Sequence, residues 1–96
     1  MKVRILDEAE QDIIDGFCFY EGQNPGLGDY FLDSIFSDIE SLQLYAGIHA
    51  RYFGCHRLLS KRFPFAVYYR VAGKTASVYA VLDCRRNPER TEERLK

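Results

Sequence analysis

Phe63-Pro64-Phe65-Ala66-Val67-Tyr68-Tyr69-Arg70-Val71 places Phe63, Phe65, Val67, Tyr69 and Val71 at every second position, with Ala66, Tyr68 and Arg70 between them. Side chains two apart share one face of a strand, and aromatic and β-branched residues suit a half-buried pleated surface, so the run reads as a strong strand. Pro64 cannot donate to a ladder and therefore marks the beginning of that strand or an exposed edge. Downstream, Ala72-Gly73-Lys74 is a tight turn, and Thr75 to Asp83 completes a hairpin. Upstream, Cys55 to Lys61 reads as a further strand.

Ahead of these strands the period changes. Leu27, Phe31, Ile35, Ile39 and Leu42 form one apolar stripe, while Asp29, Asp33, Ser37 and Glu40 lie opposite, which predicts an amphipathic helix. Leu32 and Phe36 widen the stripe, either as ordinary core or as a surface for a partner helix. Before it, Asp7-x-x-Glu10 has the spacing of a capping box, and Ala9, Ile13, Phe17 and Tyr20 follow at helical spacing. Gly16 inside this first helix costs roughly 1 kcal/mol relative to Ala, which signals either close packing or a weak spot. Asn24-Pro25-Gly26 breaks the pattern, and so short a connection sets the two helices antiparallel. Lys2 to Leu6 alternates as a short first strand; Arg86 to Lys96 holds helix formers, with Asn87 as a cap before Pro88. The expected fold is α+β in the order β-α-α-β-β-β with a short C-terminal helix. An antiparallel sheet of about four strands packs on the N-terminal helical hairpin, and residues 1–96 make one domain.

The chain is 47% hydrophobic and carries seven Tyr and seven Phe, the composition of a globular rather than a disordered chain. Cys18, Cys55 and Cys84 are an odd number without C-x-x-C spacing, which points away from a disulfide framework or a zinc knuckle and toward reduced thiols in a cytoplasmic protein. Cys55 and His56 invite a metal reading, but neighbours on a strand point to opposite faces, so neither a metal site nor a cofactor is expected. No stretch is apolar enough for a signal peptide or membrane span. The net charge of −1 conceals a separation of sign: residues 1–50 hold two bases against ten acids, residues 51–96 eleven bases against four acids. A basic half suits a polyanion or an acidic partner, unless the two halves neutralise each other within the fold.

One long stretch extends this reading: His56-Arg57-Leu58-Leu59-Ser60-Lys61-Arg62-Phe63-Pro64-Phe65-Ala66-Val67-Tyr68-Tyr69-Arg70-Val71, then Val78-Tyr79-Ala80-Val81-Leu82-Asp83 and Arg85-Arg86-Asn87-Pro88. Together with Ala9-x-x-Asp12-Ile13 and Pro25-Gly26-Leu27-Gly28-Asp29-x-Phe31, it resembles the RelE/ParE superfamily of type II toxins from about Val3 to Arg90. The resemblance implies a growth-arresting toxin, of the kind associated with plasmid stabilisation. A cognate antitoxin neutralises it by wrapping it with a segment that folds on binding. A homodimer and a toxin–antitoxin hetero-oligomer both stay open. An acidic antitoxin segment would suit Arg57, Lys61, Arg62, Arg85 and Arg86.

The superfamily contains DNA gyrase inhibitors and ribosome-dependent mRNA endonucleases. In RelE-type nucleases an Arg stands in the strand matching Phe65 to Val71, and an Arg and a Tyr in the C-terminal stretch; the matching positions here hold Ala66, Arg86 and Glu92. Arg86 alone remains as a candidate catalytic, phosphate-stabilising residue. No His follows His56, so a second nuclease pattern, a C-terminal His followed by Tyr, is also missing. A strongly acidic first half would moreover repel ribosomal RNA. The chain is therefore read as a ParE-like gyrase inhibitor that acts by binding rather than as an enzyme. The alternatives are a RelE-like mRNA endonuclease and a decayed toxin that only binds its antitoxin. Tyr68 and Arg70, on the strand face opposite the helices, complete the candidate binding residues: they contact a base or partner, or they simply pack.

Overall fold

The computed structural model describes all 96 residues, Met1–Lys96. Its elements run β1 (Lys2–Ile5), α1 (Asp7–Gln23), α2 (Leu27–Glu40), α3 (Leu42–Tyr45), β2 (Arg51–Tyr52), β3 (Cys55–Leu59), β4 (Phe65–Ala72), β5 (Thr75–Asp83) and α4 (Pro88–Leu95). The strands form one sheet in the order β1-β5-β4-β3-β2. The expected α+β architecture, with its helical hairpin and short C-terminal helix, is the one observed.

Two details of the sheet differ from expectation. It has five strands, because the two-residue β2, too short to leave an alternating pattern, pairs with β3 as Arg51↔His56 and Tyr52↔Cys55. It is also mixed: β3, β4 and β5 form an antiparallel meander, but β1 lies parallel to β5, with Lys2↔Thr75 and Ile5↔Val78. Alternation reveals which face of a strand is buried, not the direction in which it runs.

The capping box does not form. Leu6 donates its N–H to the Val78 carbonyl at 3.0 Å, which keeps the chain in the sheet up to the helix. Leu6 thus takes the N-cap position without a side-chain cap, and Asp7 already belongs to α1. Asp7, Glu8 and Glu10 still favour that end by facing the positive pole of the helix dipole. Helix α2 is capped from a distance: the Glu21 carboxylate accepts from the N–H of Gly26 at 3.1 Å and of Gly28 at 3.0 Å.

Gly16 is a close-packing position. A Cβ there would stand 2.5 Å from Cζ of Phe31, so the missing side chain lets the Phe31 ring lie against the α1 backbone. Ala9 and Ile13 of α1 and Phe31, Ile35 and Ile39 of α2, with Leu42, meet Phe65, Val67 and Tyr69 of β4 and Ala76, Val78 and Val81 of β5 in the main core. Beside them Tyr20, Phe31, Phe63 and Phe65 form an aromatic cluster with ring centroids 4.8 to 6.1 Å apart.

The sheet's other face has a core of its own. Cys55, Ala66, Tyr68, Ala80 and Leu82 pack there beneath Leu95 of α4. A bulge makes this possible: Tyr69 pairs with Val78 but Tyr68 pairs with Ala80, so Tyr79 is an extra residue in β5. Before the bulge Ala76 and Val78 face the helices; after it Val81 does, while Ala80 and Leu82 turn to the second core. Helix α4 is tied down at both ends. Asn87 Oδ1 accepts from the Glu89 N–H at 2.9 Å, and Arg70 donates from Nη2 to the Leu95 carbonyl at 3.0 Å.

Candidate functional site

The α4-side face of the sheet, the end of β5 and the start of α4 enclose a cleft of about 290 Å³. Tyr68 lies at its floor, only 6% exposed. Arg57 of β3, Asp83 at the end of β5 and Cys84 and Arg86 beyond it contribute polar walls; Pro88 and Thr91 of α4 and Tyr52 and Phe53 of the β2–β3 hairpin complete it. The hairpin turn is Phe53-Gly54, with φ of 54° and 80°. Two consecutive positive φ angles in a two-residue loop are the signature of a type I′ turn, for which Asn-Gly is the favoured pair. A Phe held in the left-handed region is unusual, and here it sets an aromatic ring at the cleft wall.

Arg57 dominates the cleft's electrostatics. Its guanidinium lies 3.8 Å from the centroid of the Tyr52 ring, a cation–π contact, and its buried Nε has no hydrogen-bond partner. Burial raises the Tyr68 hydroxyl pKa above its usual value, with Arg57 pulling the other way. The Cys84 thiol is likewise raised by burial and opposed by Arg57. Both groups therefore stay protonated at neutral pH and offer donors rather than bases.

Asp83 and Arg86 diverge in the turn that follows β5. The Asp83 carboxylate accepts from Arg85 Nε at 2.9 Å, Nη2 at 2.6 Å and N at 2.8 Å; these bonds hold its pKa below the usual range. Arg86 pairs with no carboxylate. It also lines a second groove, of about 210 Å³, where Gly16 and Phe19 of α1 face Val81 and Leu82 of β5. Arg86 thus stands at the junction of two grooves on either side of the sheet's end. The arrangement can hold an anionic group between Arg57 and Arg86 with a flat apolar group against Tyr52 or Phe53.

Of the seven residues singled out from the sequence, Arg57, Tyr68 and Arg86 come together in this cleft. Lys61 and Arg62 do not: they border α2 beside Ser34, Ser37 and Asp38 on the other side of the sheet, with Arg62 5.8 Å from the Tyr30 ring centroid. Arg70 is taken up structurally, by Cys55 Sγ at 3.3 Å, by Leu95 and by the Tyr79 ring at 4.6 Å. Arg85 is taken up by Asp83. Tyr68, whose place in the strand left both contact and packing open, packs in the second core. The bases of the second half do not share one face either, since Arg94 crosses to the acids of α1. Tyr52, Phe53 and Thr91 were not foreseen; a Gly after an aromatic residue in a short connection was the only local sign of the hairpin turn.

Cys55 and His56 face opposite sides of the sheet: Cys55 belongs to the second core, while His56 stacks on Tyr69 with centroids 5.1 Å apart. No three His, Cys, Asp or Glu side chains gather as a metal-holding group, and no helix is long and apolar enough to cross a membrane.

A helical hairpin laid on a meander, with the first strand parallel to the last and a C-terminal helix closing the far face, defines a small α+β domain of one recognisable class. No family model matches the sequence, and no curated protein matches it. Among solved structures, a chain of the chromosomal ParDE TA system from P. aeruginosa is similar with a TM-score of 0.76 and 22% identity, over 84% of this chain and 92% of that one. The two share a fold.

Proposed function

We propose that this protein is the toxin of a type II toxin–antitoxin pair, acting in the cytoplasm as a ParE-like inhibitor that arrests growth by binding DNA gyrase. The observation that carries the reading is the shared fold with a chain of a ParDE TA system across most of both chains, in line with the residue resemblance to RelE/ParE toxins. The cognate antitoxin would mask Arg57 and Arg86 with acidic side chains, since these two cations share an open cleft and pair with no carboxylate.

Binding is favoured over RNA cleavage by what fills the expected catalytic positions. Ala66 is fully buried in the second core, and Glu92 rather than Tyr occupies the α4 position. Within the cleft, Asp83 is engaged by Arg85, and Tyr68 and Cys84 hold their protons, which leaves cations but no poised base. One observation favours the mRNA endonuclease reading: Arg57, Arg86 and the Tyr68 hydroxyl converge as a phosphate-binding group would.

Inducible expression with and without the adjacent open reading frame tests the pair. Growth arrest relieved by the neighbour, with DNA-damage signalling and full-length messages, supports gyrase inhibition. Arrest with messages cut at the ribosomal A site, abolished by Arg86→Ala, supports the nuclease instead. Normal growth despite binding to the neighbour's product points to a toxin that has lost its activity.

A further inference from the structure

The outer face of the helical hairpin, turned away from the sheet, is left uncovered. Gly28 lets its two helices meet closely: a Cβ there would stand 2.7 Å from the Phe17 ring, so Phe17 of α1 lies against the α2 backbone. That contact fixes which stripes border the groove between the helices. On α1 the stripe is Glu10, Ile14, Phe17 and Glu21, and on α2 it is Asp29, Leu32, Phe36 and Glu40, each at three- and four-residue spacing. With the helices antiparallel, Phe17 lies toward Leu32 and Ile14 toward Phe36. Phe17 and Leu32 are half-buried, but Ile14 is 46% and Phe36 42% exposed. The two residues that widen the apolar stripe of α2, Leu32 and Phe36, thus spend only part of their surface on the core.

Around this apolar strip the charge has one sign. Residues 5–50 contain ten acids and no Lys or Arg. Glu10, Asp29, Asp33 and Glu40, which border the groove, are exposed and pair with no cation. The two hairpin acids that do meet a cation, Glu8 and Asp12, reach Arg94 on the other flank of α1, beside β5. A second copy of the chain laid face to face would set carboxylate against carboxylate, and an anionic membrane or a nucleic acid would be repelled. A free cation would answer the acids but leave the apolar strip in water. A helix with an apolar face flanked by Lys or Arg answers both. The 14 residues of α2 run about 21 Å, so the groove takes about four turns of such a helix, anchored at i, i+3 or i+4, and i+7.

We propose that the outer face of the α1–α2 hairpin docks a cationic amphipathic helix of a partner protein, with the helix's apolar side on Ile14 and Phe36 and its Lys or Arg side chains against Glu10, Asp29, Asp33 and Glu40. The docked helix packs its ridges into the groove between α1 and α2 and makes a third member of that layer. This face lies across the sheet from the α4 cleft and calls for a partner of the opposite charge, so both can be occupied at once and the proposal stands without the toxin reading.

The test is a ¹⁵N–¹H NMR titration of the full chain with a model peptide of about four helical turns, Leu on one face and Lys on the other. Two control peptides carry Glu in place of every Lys and Ser in place of every Leu. Saturable shifts centred on residues 10–18 and 29–36 are expected, weakened by added salt, with each control binding about tenfold more weakly or less. The double variant Ile14→Ser/Phe36→Ser should weaken the Leu–Lys peptide by about tenfold or more while the amide signals of β4 and β5 stay in place. Asp29→Asn/Asp33→Asn, which leaves the apolar strip intact, should weaken it too and flatten its salt dependence. No saturable shift at millimolar peptide, equal binding of the Glu or the Ser control, or binding that survives both double variants would each overturn the proposal. So would a dimer in sedimentation that protects residues 10–18 and 29–36 from amide exchange, which would give the face to a second copy.

Discussion

The carboxylate of Asp12, on the first helix, grips the guanidinium of Arg94, on the last, through two parallel hydrogen bonds of 2.9 and 2.8 Å. The same carboxylate accepts from the Val81 N–H at 3.0 Å. β1 stops opposite Val78, so the second half of β5 has a bare edge there, and Asp12 covers it. Arg94 reaches round that edge from the other side of the sheet and also holds Glu8 at 3.0 Å. The two cores, otherwise separated by the sheet, are stapled at this point.

Removing the staple should therefore loosen α4 as well as β5. Asp12→Ala leaves the Val81 N–H and a half-buried Arg94 without their acceptor and should cost about 2–3 kcal/mol by urea unfolding. Amide exchange should rise in Thr91–Leu95 and at Val81, and not in Phe31–Ile39. Equal acceleration throughout the chain would show that Asp12 acts on global stability alone.

Gly16→Ala sets helix propensity against packing. Ala favours the helix by about 1 kcal/mol, yet overpacking a tight core costs about 1–3 kcal/mol, and the tip of the buried Phe31 ring leaves no space. The variant should be destabilised. In Gly16→Ala/Phe31→Leu the penalty of the first substitution should vanish, giving a favourable coupling in a double-mutant cycle.

The Phe53-Gly54 turn should respond in the opposite sense. Phe53→Asn supplies the preferred residue for a left-handed position and should stabilise the protein by about 1 kcal/mol. Because the ring also walls the cleft, the same variant should, on the toxin reading, arrest growth less strongly. Stability and potency moving together would mean that the cleft takes no part in activity.

Acid should release the loop ahead of β2. Tyr69 Oη accepts from the Gly47 N–H at 2.9 Å and shares a hydrogen bond with His49 Nδ1, while His56 Nδ1 donates to the His49 carbonyl at 2.8 Å. Burial first, and then the neighbouring His56, lower the His49 pKa from 6.5, and the groups facing its ring are Tyr69 and His56. Folding thus keeps His49 neutral where the unfolded chain would already have bound a proton. The contribution is complete above pH 6.5, declines as the pH falls below it, and is gone once the pH passes below the folded pKa. An NMR titration should give His49 a pKa below that of an unfolded peptide, and in His49→Asn the part of the acid destabilisation due to this residue should be absent.

Alternation in Phe63–Val71 and the helical stripe from Leu27 to Leu42 made the two layers readable in the sequence, because each depends on near neighbours and one buried face. Features resting on distant partners were not readable. The parallel pairing of β1, the phase change at Tyr79 and the Asp12–Arg94 staple join residues that carry no mutual signal along the chain. The site was partly legible for the same reason. Tyr68 and Arg70 were placed by the alternation of their strand and both lie on the α4 side, whereas Arg57, Lys61, Arg62, Arg85 and Arg86 were grouped by charge, which says nothing about which side of the sheet a side chain occupies.

The most direct test of the toxin reading is a supercoiling assay with purified protein and DNA gyrase. Inhibition that rises with concentration, is lost in Arg57→Ala/Arg86→Ala and is reversed by the adjacent gene's product is the expected result. Supercoiling that proceeds unaltered at a large molar excess of folded protein would contradict it.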